Sequence, residues 1–245
     1  MTAFLTKVGV LAALLAASVA AQENRAAAKT PVTAAVTDVD GNVYKTVAIG
    51  SQVWMAENLR TTRYRNGDAI GTTSPAALDI DGESAPKYQW AYAGDENNAA
   101  TYGRLYTWYA VTDDRNICPA GWHVPGNDEW STLVAFLGGP DAAVGKLKET
   151  GTTHWKSPNS NATNESGFTG LPGGNRLPKG GFVLIGEAGH YWTTSEVACG
   201  SGFDSAAQPD QQCAWRRLLL NTDTNPRHSG WAGKKIGWSV RCIRD

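Results

Sequence analysis

Nine side chains late in the sequence, Gln208, Asp210, Trp215, Arg217, Asn221, Asp223, Arg227, His228 and Trp231, gather aromatic, amide, carboxylate and guanidinium groups in one short stretch. That mixture suits a polyhydroxylated ligand. The C–H faces of a sugar stack on aromatic rings, while its hydroxyls pair with planar polar groups. Packing competes for the same aromatics: Trp192 and Trp215 sit at strand-like positions that read as core, whereas Trp231, between Gly230 and Ala232 in a polar setting, reads as exposed.

No other stretch holds a complete catalytic set. Glycoside hydrolysis needs two carboxylates at a defined separation across a cleft, and Glu57, Glu129, Glu149, Glu165, Glu187 and Glu196 are scattered along the chain. Glu129 stands at a helix start, where capping and first-turn electrostatics account for it. No GxSxG is present, and His123, between Trp122 and Val124, reads as structural. Gly173 to Leu177 (GGNRL) is a turn without the strand-to-helix setting of a phosphate cradle. Zinc finds no CxxC and no ligand spacing among His123, His154, His190 and His228. Asp38, Asp40 and Asn42 begin like a calcium loop, but Val43 stands where an EF-hand needs Gly and Ile49 where it needs Glu. These residues predict a protein that is not an enzyme and holds no metal.

The 22 basic and 23 acidic residues nearly balance and form no basic block, which excludes nucleic acid and anionic membrane as partners. Lys7, the apolar run Val8 to Ala17 and the small residues that follow mark 1–21 as a secretory signal, too short to remain as a membrane span. No cysteine lies near the cleavage region to carry a lipid. Residues 22–35 read as a flexible linker. Export, to the cell exterior or periplasm, puts Cys118, Cys199, Cys213 and Cys242 in an oxidising compartment, where two disulfides are expected and three pairings are open. The Gly/Ser/Gln-rich stretch between Cys199 and Cys213 suits a local staple. That would leave Cys118 with Cys242, a long closure worth roughly 4–5 kcal/mol in the chain-entropy account.

The elements follow from turn chemistry and periodicity. Asp40-Gly41 between strand-like runs predicts an opening β-hairpin. Positions 70–99, rich in Pro, Gly, Asp and Asn, read as a surface excursion. Tyr102 to Ala110 places Leu105, Trp108 and Tyr109 at helical spacing, and a second helix capped by Asn127 or Asp128 has Trp130, Leu133, Val134 and Leu137 on its inner face. A shorter helical patch covers Ala142 to Glu149, and from Thr150 onward short β-type runs alternate with Gly, Asn and Pro. The expectation is one α+β domain over 36–245, with two early helices, a late loop-rich antiparallel sheet, and first and last strands that pair to bring the termini together.

The ordered segments VTDVDGNVYKTVAIGSQVWMAENL, YGRLYTWYAV, ICPAGWHVPGNDEWSTL, LKETGTTHW, NESGFTGLPGG and GWSVRCIRD resemble the Fibrobacter succinogenes major paralogous domain of secreted bacterial proteins. More remotely, WHVPGNDEW and the terminal Arg-Cys strand are similar to formylglycine-generating-type domains, which have a C-type lectin-like fold. The resemblance implies that fold here and favours Cys118 with Cys242. It implies no reaction. Gln208-Pro209-Asp210 resembles the galactose signature of some calcium-dependent lectins, the only motif that would call for calcium, but Asn221-Thr222-Asp223 lacks the tryptophan expected there. The expected function is a secreted, non-catalytic module that recognises a polysaccharide or a cell-surface protein through its late loops. A structural or surface-assembly module is the alternative, followed by an enzyme related to formylglycine-generating folds.

Overall fold

A computed structural model describes residues 32–199, 213–222 and 229–245. The chain opens with β1 (Val32–Thr37), β2 (Val43–Ile49), β3 (Gln52–Met55) and β4 (Gln89–Trp90), followed by α1 (Glu96–Tyr102), β5 (Leu105–Tyr106) and α2 (Trp108–Val111). Then come β6 (Trp122–His123), α3 (Asn127–Phe136), α4 (Pro140–Leu147), β7 (Gly173–Arg176) and β8 (Phe182–Ile185). The order ends with β9 (Ala188–Val197), β10 (Cys213–Leu220), β11 (Ser229–Gly233) and β12 (Ile243–Arg244). These strands pair antiparallel throughout, so the α+β expectation holds with short helices and several small sheets.

The opening hairpin forms as its turn chemistry dictates. Asp38 Oδ1 accepts from the N–H groups of Asp40 (3.0 Å) and Asn42 (2.9 Å), and Oδ2 accepts from the Tyr44 hydroxyl (2.6 Å). The carboxylate that opens the calcium-like run is thereby spent on the turn. β1 begins at Val32, so positions 32–35 belong to a strand and not to the linker assigned to them.

The first and last strands share a sheet but do not pair. Its order is β1-β2-β3-β12-β6, because Ile243 pairs with Trp54 on one side and His123 on the other. The Cys118–Cys242 disulfide holds the C-terminal segment beside β6, and the Met55 and Leu59 N–H groups donate to the carbonyls of Cys242 and Val240. Cys199 and Cys213 form the second disulfide. Among the described residues no helix is long and apolar enough to cross a membrane.

The single helix expected over Tyr102 to Ala110 is instead α1, β5 and α2. Gly103 ends α1 at φ +76°, and a Cβ there would lie 2.6 Å from Asn58 Cβ and 2.8 Å from the Leu59 carbonyl, so only glycine fits. The excursion over 70–99 also contributes to the core, with Ile80, Trp90 and Ala91 buried. GGNRL is not a turn: Gly173–Arg176 is strand β7, paired with β8.

Two apolar clusters fill the interior. One joins Tyr44, Tyr106, Trp108, Trp192 and Trp238 to the Cys118–Cys242 bridge, while in the other Trp54 packs tilted against Trp130 and Phe168 meets Trp130 and Tyr191 edge to face. Arg241 reaches the second cluster fully buried. Its guanidinium donates to Asn58 Oδ1 (2.6 Å) and to the carbonyls of Met55 (3.0 Å), Phe168 and Thr169 (2.8 Å). Burial pushes its pKa down to about 10, so it stays charged at neutral pH.

Candidate functional site

Ten tryptophans occur in the chain, and Trp54, Trp90, Trp108, Trp122, Trp130, Trp155, Trp192 and Trp238 are buried. The remaining two, Trp215 and Trp231, are partly exposed and stand directly opposite each other on β10 and β11. Strand alternation gives the pair its face. Ala214, Arg216 and Leu218 point to one side of the β9-β10-β11 sheet, and Trp215, Arg217 and Leu219 to the other, with Trp231 beside Trp215. Trp192, by contrast, is core, its Nε1–H donating to the Tyr106 carbonyl (2.8 Å).

Helix α3 borders the same face. Its cap is not Asn127 or Asp128 as the sequence predicts. Gly126 holds the cap position, Glu129 Oε2 accepts its N–H (2.8 Å), and Ser195 Oγ from β9 accepts the Asn127 N–H (2.9 Å). The Asn127 side chain is occupied elsewhere. Arg217 Nη2 donates to Asn127 Oδ1 (2.9 Å), the Asn127 carbonyl (2.9 Å) and Ser131 Oγ (3.0 Å), stitching β10 to α3. Burial lowers the Arg217 pKa to about 10. Arg217 is therefore a buried brace behind the aromatic pair and not the ligand contact expected of it.

Asn221 is likewise tied to its surroundings, with Nδ2 donating to the carbonyls of Lys156 (3.4 Å) and Ser157 (3.3 Å). Gln208, Asp210, Asp223, Arg227 and His228 lie outside the described residues, and the galactose-like motif lies there with them. Of the nine expected side chains, the structure brings Trp215, Arg217 and Trp231 to one sheet face. Asn127, Ser131 and Ser195 complete its border, and this role had no local signature in the sequence because their partners lie 68 to 90 residues away.

The other polar constellations are braced internally. The scattered carboxylates are taken up by different partners: Glu57 accepts from the Lys45 N–H, and Glu129, Glu149, Glu165, Glu187 and Glu196 pair with His123, His154, Lys146, Lys156 and Lys234. His123 lies between two carboxylates, with Nε2 2.8 Å from Glu129 and Nδ1 2.6 Å from Asp245. Both ring nitrogens are occupied, which gives the geometry of a clamp. Burial disfavours its charged form, but the hydrogen bonds to Asp245 and Glu129 outweigh that and raise its pKa. Among the described residues no group of three or more His, Cys, Asp or Glu could hold a metal ion.

A cleft of about 500 Å³ lies on the early half of the chain, between Thr62, Thr72, Ala93, Glu96 and Arg104. Its floor is already bonded within the protein. Arg104 donates to the Arg60 carbonyl, Gln89 Oε1 and the Glu96 carboxylate, and Thr73 Oγ1 accepts from the Trp90 indole (2.8 Å).

No curated protein and no solved structure matches the chain. Residues 47–244, from the second strand of the opening hairpin through the last strand, match the Fibrobacter succinogenes major domain. The matched span takes in both disulfides, the α3 brace and the Trp215/Trp231 face, and the chain belongs to the Fibrobacter succinogenes major domain family.

Proposed function

We propose that this chain is an exported, non-catalytic recognition module of C-type lectin-like fold that binds a glycan, cell-wall material or a surface protein through the sheet face of Trp215 and Trp231. One observation carries the reading: the two tryptophans left out of the core face each other in register on neighbouring strands. Paired indoles on a rigid sheet offer a large stacking surface whose conformational entropy is already spent. Arg217, bonded three times to α3, keeps that surface rigid. The reading needs no calcium.

The test is retention of the folded protein on cellulose, xylan and peptidoglycan, with a glycan array and a cell-surface protein pull-down alongside. Wild type should be retained by at least one ligand, and Trp215→Ala and Trp231→Ala should each lose that retention. Absence of binding to every ligand by folded wild type overturns the proposal. The burial of the other eight tryptophans favours a second reading, a structural or surface-assembly module. Under that reading both variants assemble as wild type does.

A further inference from the structure

On the opposite face of the β9-β10-β11 sheet, His190 is 6 % exposed and neither ring nitrogen has a protein partner. Its ring stacks on Trp238, with centroids 4.9 Å apart and planes 10° apart, and the Trp238 Nε1–H is also unpartnered. Two bridges on one side of the 237–239 segment, Arg176 with Gly237 and Tyr191 with Ser239, bring Asn175 and His190 to flank position 238. Asn175 Oδ1 is a further buried atom without a partner. Four orphaned polar atoms thus fall on three neighbouring residues. Buried polar groups are almost always hydrogen-bonded, and each exception points to an occupant that satisfies it.

The chemistry of the set defines the occupant. An indole N–H donates, an amide oxygen accepts, and a neutral imidazole does one of each. Burial, with the Arg216 charge second, holds the His190 pKa well below its ordinary value, so the ring is neutral. A lone ammonium ion would oppose the indole N–H and a lone anion the amide oxygen. A hydroxyl, which donates and accepts at once, satisfies both. We propose that Asn175, His190 and Trp238 form a buried hydroxyl-binding site, occupied by internal water or by a hydroxyl of a saccharide.

The test combines a high-resolution crystal structure of the full chain with thermal unfolding of His190→Phe and Asn175→Leu. Density for an oxygen within hydrogen-bond distance of Trp238 Nε1 and a His190 nitrogen supports the site. Each apolar variant should then lower Tm by roughly 2–4 °C, because the occupant's remaining partners are stranded. A dry void, or a rise in Tm in both variants, overturns it, since removing truly orphaned groups is stabilising. Excess methyl glucoside distinguishes the two sources. A rise in Tm for wild type but not for His190→Phe marks a saccharide hydroxyl, and an unchanged Tm with the oxygen present marks water.

Discussion

His123 Nδ1 lies 2.6 Å from Asp245 Oδ1, a contact spanning 122 residues that ties the edge strand β6 to the end of β12. Glu129 at the start of α3 holds the other ring nitrogen. The folded pKa of His123 is raised above its ordinary value of 6.5. The clamp's contribution is therefore fully present below that value and is lost as pH rises through the folded pKa. His123→Gln should reduce stability more at about pH 6 than at about pH 9, as read by urea denaturation. An equal loss at both pH values would show that the ring acts only by packing.

Much of this architecture is written in local chemistry, and the remainder is not. Asp40-Gly41 between two strand runs specified the hairpin, and the apolar spacing of Trp130, Leu133 and Leu137 specified α3, because a turn or a helix face is decided by residues a few positions apart. The insertion of β12 between β3 and β6 depends on Ile243 meeting Trp54 and His123, a pairing without a local signature. Gly103 is the instructive failure. Leu105, Trp108 and Tyr109 have helical spacing, yet Gly103 just before them takes a positive φ and lies so close to Asn58 and Leu59 that no side chain fits there. At the candidate site the composition of the stretch was legible. Which tryptophans stayed out of the core was set by sheet register, which places Trp192 inward and Trp215 across from Trp231.

Arg241 shows how much of the C-terminal segment is held by one side chain. Its guanidinium satisfies four acceptors drawn from β3, the residues after it and the Phe168-Thr169 loop. Arg241→Ala orphans all four in a fully buried setting and should cost about 3–5 kcal/mol by denaturant unfolding. Arg241→Lys should recover little, since a point charge cannot replace a planar fork. A cost near zero would mean that solvent reaches the carbonyls.

The two disulfides should differ in weight. Cys118–Cys242 closes a separation of 124 residues and Cys199–Cys213 one of 14. Chain-entropy arguments assign about 4–5 kcal/mol to the first and about 3 kcal/mol to the second. Cys118→Ala with Cys242→Ala should accordingly lower the denaturation midpoint more than Cys199→Ala with Cys213→Ala. The longer bridge also lies in the core, so its loss adds a packing defect to the entropy. The reverse order would place the stability of the late sheet above that of the five-stranded one.

Buried and partly exposed tryptophans separate loss of binding from loss of folding. Trp192 is fully buried and hydrogen-bonded to the Tyr106 carbonyl, so Trp192→Ala should cost about 3–5 kcal/mol. Trp215 and Trp231 keep part of their surface in solvent, and the strand beneath them is braced independently by Arg217. Their alanine variants should each lose no more than about 1–2 kcal/mol, because less apolar area returns to water and no interior cavity forms. Equilibrium unfolding of the three variants checks the ranking. If Trp231→Ala proved as costly as Trp192→Ala, the indole would be a core element and its loss of ligand retention would carry no information about a binding face. If Trp231→Ala stays near wild type in stability while retention disappears, the loss lies in the contact surface, because the scaffold that presents it is intact.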